Sequence, residues 1–164
     1  MSAAEGLALA RALHLLGVVL WIGGVAFVTL VLLPEVRAFE TPERRVAFFE
    51  DVERRFARQA RATTLLTGAT GFAMLVLLDG WERYLDVRFW WLHAMTAVWL
   101  VFTAMLFVLE PLVLHRWFRE RAAESPERTF ALVVRLHRTL LAASLLTVFA
   151  AAAGSHGWTF GTGP

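Results

Sequence analysis

The chain has 164 residues, of which 58% are hydrophobic, and its mean hydropathy is +0.58. Soluble domains contain roughly 45–50% apolar residues, so a chain this small cannot bury so much apolar surface and is predicted to lie in a lipid bilayer. The basic residues are all arginine, without any lysine, and the net charge is only +2. This small charge predicts no nucleic-acid partner. The chain has no cysteine, which excludes thiolate metal sites, covalently attached haem and disulfides.

Four hydrophobic runs are long enough to cross a hydrocarbon core of about 30 Å, which takes about 20 helical residues. They cover about residues 7–33, 61–78, 89–114 and 130–153. Helix is the expected state, because backbone polar groups in lipid must be satisfied within their own segment. The sequence therefore predicts an all-α fold, an integral membrane four-helix bundle that forms a single transmembrane domain over residues 1–164.

The segment between the first two spans is predicted to hold a further helix over about residues 42–57. Thr41-Pro42-Glu43 supplies an N-cap residue, a proline at the first helical position and an acidic first turn. Apolar residues then recur at helical spacing among charged ones, from Val46 to Phe56. This pattern is typical of an amphipathic helix that lies at the membrane interface and runs into span two.

The arginines predict the orientation of the spans. Thirteen of them flank the two loops that join span one to two and span three to four, against Arg11, Arg83 and Arg88 at the opposite ends. Because arginine is concentrated on the cytoplasmic side, we expect a multi-pass protein of the bacterial inner membrane with both termini periplasmic or extracellular. Glu110, near the cytoplasmic end of span three, is expected to pair with an arginine.

The two halves of the chain echo one another. Leu13-His14 opens span one and Leu92-His93 opens span three, while Thr41-Pro42-Glu43-Arg44 and Ser125-Pro126-Glu127-Arg128 precede spans two and four. One interpretation is two parallel helix-pair repeats about an axis along the membrane normal. The other is that helices reuse the same start signals.

The two histidines that open spans one and three are the leading site residues, because ionisable residues inside a membrane are costly and mark functional sites. His14 and His93 each lie a few residues inside an arginine, so both are expected at a similar depth in the outer leaflet. A bis-histidine haem b needs two neutral imidazoles on rigid helices. The sequence therefore predicts His14 and His93 as axial ligands of haem b, with Gly17, Trp21 and Gly24 following His14 on one helix face.

Small and aromatic residues accompany this pair. Gly68 and Gly71 form a patch in span two that permits either a flat macrocycle or close helix packing, which is the usual role of small residues in membranes. Trp90, Trp91 and Trp99 are candidates for the haem edge. They also suit the aromatic belt at the outer interface, which is the favoured role for Trp90 and Trp91.

Other metal-ligating residues have less defined roles. His156, just outside span four, either completes a three-histidine metal cluster with the two outer histidines or caps its helix. His115 and His137 lie on the cytoplasmic side, where they form either a second site or part of an arginine-rich interface. Met95 is a candidate sixth ligand for haem or a soft ligand for copper, or it is a packing residue.

Two families resemble this chain. LHLLGVVLWIGGVAF in span one and WWLHAMTAVWLVFTAMLF in span three resemble the copper-resistance D (CopD-like) family over about residues 10–119, which implies copper handling at the inner membrane. The histidine and tryptophan–glycine step of span one and the Trp-Leu-His-Ala of span three are similar to the oxygen-independent protoporphyrinogen oxidase family of four-helix haem proteins. This chain has Met95 where that family has lysine, and it lacks that family's Asn-Glu-Ile/Val-Pro stretch.

Three hypotheses follow for the function. The first is a membrane b-type cytochrome, an oxidoreductase or electron carrier whose partner is a quinone, an external electron carrier or a small oxidant. The alternative is a copper-binding or copper-transport protein that uses the outer-face histidines. The third is a non-catalytic assembly subunit. A monomer and a homodimer are both compatible with the sequence.

Overall fold

The computed structural model describes residues 2–38, 41–114, 120–121 and 124–158. These residues include four helices that are long and apolar enough to cross a membrane. They are α1 (Ala3–Arg37), α2 (Pro42–Leu77), α3 (90–114) and α4 (Pro126–Ser155). No strand occurs within the described ranges. The predicted all-α fold with four membrane-spanning helices is confirmed.

A capping box starts helix α1. The Ser2 side chain accepts a hydrogen bond from the Glu5 N–H at 3.2 Å, and the Glu5 carboxylate accepts one from the Ser2 N–H at 2.7 Å. Two of the unpaired N–H groups at the helix start are thereby satisfied. The helix therefore begins at Ala3, before the apolar run that the sequence places at about residue 7, because the capping residues decide where a helix starts.

Helix α2 is one uninterrupted helix of 36 residues. The Thr41 side chain accepts a hydrogen bond from the Arg44 N–H at 3.4 Å, and Pro42 occupies the first turn, as the start signals predict. The amphipathic segment and span two are thus two parts of the same helix. The part that is apolar enough to cross a membrane is Asp51–Leu77.

Helices α1 and α3 each widen into a π-helix beside a proline. The wide segments are Val28–Leu32, just before Pro34, and Met105–Leu114, around Pro111. Proline lacks an N–H, and its ring collides with the carbonyl four residues earlier in an α-helix. A π turn moves the hydrogen bonds to the fifth residue back and relieves this collision. In α1 the Leu33 N–H accordingly donates to the Val28 carbonyl.

Small residues allow α1 and α2 to approach closely along most of their lengths. A Cβ added to Gly17 would lie 2.6 Å from the Thr67 Oγ1, and one added to Gly24 would overlap the Phe56 ring. Helix α1 makes its most extensive contact with α2, and α3 packs chiefly against α4. Gly17 and Gly24 therefore lie in a helix–helix contact of the kind that small residues usually form in membranes.

An ion pair joins α2 to the wide segment of α3. The Arg61 guanidinium pairs with the Glu110 carboxylate, whose side chain is only 15% exposed, and the Arg61 Nε–H donates to the Leu106 carbonyl at 3.0 Å. In a π-helix the Leu106 carbonyl would be paired by residue 111, which is a proline without an N–H. Arg61 supplies the missing donor. The expected pairing of Glu110 with an arginine is confirmed.

Gly17→Ala is expected to lower the free energy of unfolding by about 1–3 kcal/mol, because the added methyl group would push α1 away from α2. Gly23→Ala is the matched control, since nothing lies within 4 Å of its added Cβ and alanine raises helix propensity. Thermal unfolding in detergent measures both variants. The same midpoint for the two variants would contradict the close contact at Gly17.

Candidate functional site

The four helices line an open cavity of about 870 Å³ together with the short 3₁₀ turns Trp81–Leu85 and Val87–Phe89. This volume lies in the range of about 300–1,000 Å³ that is common for cofactor and small-molecule sites. The walls are mostly apolar and aromatic. The basic side chains that line the cavity are Arg11, His14, Arg83 and His156.

His14 lines this cavity from α1 and is held by α2. Its Nδ1 lies 3.0 Å from the Thr67 carbonyl oxygen and 3.2 Å from the Thr70 Oγ1. A carbonyl only accepts hydrogen bonds, so Nδ1 carries the proton and donates it to Thr67. In the neutral ring the Nε2 then keeps its lone pair, and no described residue donates a hydrogen bond to it.

The sequence of α2 provides this support for His14. The Thr70 hydroxyl donates to the Leu66 carbonyl of its own helix at 2.6 Å, so its lone pairs are available to accept from the imidazole. A Cβ at Gly71 would lie 3.3 Å from the His14 Cε1. Glycine at this position therefore leaves room for the ring, and the backbone carbonyl of Thr67, one turn earlier, fixes which nitrogen is protonated.

His93 lies outside this cavity. Its side chain is exposed, and its ring meets the ring of Tyr84 edge-on at 5.1 Å. The His93 Nε2 lies 3.0 Å from the Tyr84 carbonyl oxygen, so it carries the proton and donates. The structure thus does not bring His14 and His93 together around the cavity, and only the Nδ1 of His93 retains a lone pair.

His156 lines the same cavity as His14. Its Nδ1 lies 2.8 Å from the Ala152 carbonyl oxygen, so this nitrogen donates and caps the last turn of α4, which leaves the lone pair on Nε2. Within the described part of the chain, no group of three histidine, aspartate or glutamate side chains could hold a metal ion. The capping interpretation of His156 therefore agrees with its geometry, and the predicted three-histidine cluster is absent from these residues.

The remaining predicted residues divide between the cavity and the helix contacts. Gly68, Gly71, Trp21 and Met95 line the cavity, whereas Gly17 and Gly24 do not. The Nε1 of Trp21 is buried and has no hydrogen-bond acceptor among the described residues. A buried donor without a partner is rare in native proteins and marks a position where a ligand can supply an acceptor.

The tryptophans of α3 separate in a way that hydropathy did not predict. Trp90 is exposed, as expected for an interfacial belt. Trp91 is buried instead, lines the cavity and packs where a Cβ on Gly154 would overlap it. Of the two roles predicted for Trp91, the interfacial belt does not agree with its burial, because the small Gly154 on α4 creates the space that accepts its ring. Trp99 lines the cavity and donates from Nε1 to the Thr64 carbonyl at 2.9 Å.

Of the two histidines predicted at the cytoplasmic end, His137 does not line this cavity. His137 is half-buried, and its Nδ1 donates to the Val133 carbonyl of its own helix at 3.0 Å. His115 lies outside the residues that the structure describes, so a second site formed by the two stays a prediction.

Two arginines of the cavity were used in the sequence analysis only to set the orientation. Arg11 and Arg83 both line the cavity, and neither forms an ion pair with a described residue. Arg83 lies over the ring of Phe89 at 5.5 Å. Arg88, the third arginine of the sparsely charged side, is bound to Asp86, and its hydrogen bonds hold the pKa of that carboxyl below its usual value. In the sequence, Arg11 and Arg83 stand among few other charged residues at their end of the helices, and this feature could have marked them as site residues.

No known family model, curated protein or solved structure matches this chain. The chemistry of the candidate site is therefore inferred from the residues that line the cavity. The cavity presents an imidazole with one free lone pair, an unpaired indole N–H, two guanidinium groups and apolar walls. Such a site fits a largely apolar molecule that carries a metal centre and negatively charged groups.

The protonated nitrogen of His14 can be tested directly. Nitrogen NMR of histidine-labelled protein, prepared without added cofactor, is expected to show His14 as the neutral form protonated at Nδ1, because only that nitrogen faces the Thr67 carbonyl. His14→Asn removes the signal and assigns it. A signal from a ring protonated at Nε2 would contradict the hydrogen bond and the free lone pair derived from it.

Proposed function

We propose that this chain is a membrane b-type cytochrome that transfers single electrons through a haem b held in the cavity beside His14. The observation that carries the proposal is the hydrogen bond from the His14 Nδ1–H to the Thr67 carbonyl. Metal-binding histidines usually donate their second ring N–H in this way, which fixes the ring and makes the other nitrogen a better ligand. Haem, when bound, supplies the one-electron chemistry.

The rest of the cavity suits the parts of a haem. The apolar walls accept the macrocycle and exclude water, which lowers the local dielectric constant and helps to set the reduction potential. Arg11 and Arg83 offer guanidinium groups to the two propionates, since charge-assisted pairs of arginine with carboxylate are strong and geometrically specific. Gly68 and Gly71 leave room on α2 for the rings of Trp99 and His14, which line the cavity.

We propose that the second axial ligand comes from the cavity wall. His156 has a free Nε2 on this wall and would preserve the predicted bis-histidine ligation. Met95, which lines the cavity from α3, is the other candidate ligand. His93, the ligand predicted from sequence, could ligate only through Nδ1 and from outside the cavity. A membrane quinone or an external electron carrier is the expected redox partner.

Copper binding is the second candidate. Met74 and Met95 line the cavity beside His14 and His156, and thioether with imidazole ligands suits copper(I). Two observations count against copper. The described residues include no group of three histidine or carboxylate side chains that could hold a metal ion. Arg11 and Arg83, which form no ion pair with a described residue, would repel a cation. The geometry therefore favours the haem.

His14→Ala is expected to lose most of the bound haem, because among the described histidines only the His14 ring is oriented by a hydrogen bond to another membrane-spanning helix. The measurement is the reduced-minus-oxidised optical spectrum of detergent-purified protein, with a pyridine haemochrome assay for stoichiometry. His137→Ala is the matched control and should keep the wild-type amount. Full haem content in His14→Ala, or a colourless wild-type protein that binds copper, would contradict the cytochrome proposal.

The second ligand is identified by the same assay. His156→Ala, Met95→Leu and His93→Ala are compared for haem content and for the low-spin signal in electron paramagnetic resonance. Loss of the low-spin signal is expected for His156→Ala, because its Nε2 is the second free imidazole nitrogen on the cavity wall. Loss in His93→Ala alone would restore the ligand pair predicted from sequence.

The proposed location is the bacterial inner membrane with both termini outside the cytoplasm. The thirteen arginines at the two loops carry this proposal. Alkaline phosphatase, which is active only outside the cytoplasm, is expected to be active when fused to the C-terminus and inactive when fused after Arg37. If the fusion after Arg37 is active and the C-terminal fusion is inactive, the protein has the opposite orientation and the proposal is wrong.

A further inference from the structure

A second cleft, of about 460 Å³, lies between α2 and the wide segment of α3. None of its lining residues lines the cavity of His14. Its walls consist only of charged side chains, which are Asp51, Arg54, Arg55, Arg58, Arg61 and Glu110. Four guanidinium groups against two carboxylates give this cleft an excess of positive charge.

Both carboxylates of the cleft are already paired. Asp51 accepts from Arg54 at 2.8 Å, and Glu110 pairs with Arg61, which also binds the Leu106 carbonyl. Arg55 and Arg58 form no ion pair with any residue that the structure describes. These two exposed guanidinium groups are therefore open to an anion from outside the chain.

Arg55 and Arg58 are neighbours on the surface of α2. Residues three apart on a helix have Cβ atoms about 5–6 Å apart, so the guanidinium groups of Arg55 and Arg58 can reach the same anion. Arginine forks match the oxygen geometry of phosphate. Arg61, the next residue of the cleft along α2, is held by Glu110 and by a backbone carbonyl of α3, and it fixes the end of the cleft next to Arg58.

The cleft lies at the arginine-rich end of the membrane-crossing part of α2, Asp51–Leu77. Lipid headgroups occupy this level of a bilayer, and basic clefts between transmembrane helices bind anionic headgroups. Leu109 and Leu112, beside Glu110 on α3, are exposed and offer apolar surface to acyl chains. Free phosphate would use the arginines but not this apolar surface.

We propose that this cleft binds the phosphate group of an anionic phospholipid, with Arg55 and Arg58 as its ligands. This inference is independent of the haem proposal, because the two sites share no residue. Inorganic phosphate is the other source of the same chemistry, and the experiment separates the two.

The test is native mass spectrometry of the full-length protein, titrated with phosphatidylglycerol and, separately, with the zwitterionic phosphatidylcholine. Tighter binding of phosphatidylglycerol is expected for the wild type. The double variant Arg55→Gln/Arg58→Gln should weaken that binding about 25-fold, from about 5-fold for each arginine. Arg135→Gln/Arg138→Gln is the matched control, since both residues are exposed on α4 and neither lines the cleft.

The outcomes separate the site from general surface charge. An equal loss in the Arg135/Arg138 control, or unchanged binding in the Arg55/Arg58 variant, overturns the proposal. If millimolar inorganic phosphate displaces phosphatidylglycerol, the cleft binds free phosphate and the lipid proposal is wrong. Arg55→Lys/Arg58→Lys keeps the charge and the fold but removes the guanidinium forks, and it is expected to fall between wild type and the glutamine variant. Equal thermal unfolding of all variants without lipid confirms that folding is unaffected.

Discussion

Polar groups inside a bilayer have no water to bond, so each must find its partner within the protein. Among the buried side chains that the structure describes, the Trp21 Nε1 and the Thr64 Oγ1 are the exceptions. The buried hydroxyls of Thr63, Thr67 and Thr70 donate to carbonyls of their own helix. The indole of Trp99 donates to the Thr64 carbonyl and thereby ties α3 to α2.

The same constraint explains why the wide turns of α3 do not leave an open defect. Pro111 removes a backbone donor, and the Leu106 carbonyl that would lose its partner receives the Arg61 side chain instead. Arg61 in turn needs a counter-charge, which Glu110 supplies. A single proline thus requires an arginine on one helix and a carboxylate on another, and together these groups form the fixed wall of the basic cleft.

The exceptions to full pairing are informative because they are few. Among the described residues, the His14 Nε2 and the Trp21 Nε1, both in residues that line the large cavity, have no partner, and neither has the buried Thr64 Oγ1, which lies outside this cavity. Native proteins depart from complete satisfaction chiefly at functional sites. Two of the three unpartnered groups thus belong to the residues of one cavity, where the proposed haem would supply their partners, while the basic cleft would bind the proposed lipid.

The sequence alone determined the number of helices, their all-α class and several of their boundaries. Span length, the Thr41-Pro42 start and the need of Glu110 for an arginine are local properties, and they agree with the structure. The rotation of each helix about its axis was not determined. In lipid both the buried and the outward faces of a helix are apolar, so hydropathy carries little information about which face points inward. Tertiary packing alone turned His93 outward, placed His156 and Trp91 on the cavity wall, and selected Arg61 as the partner of Glu110.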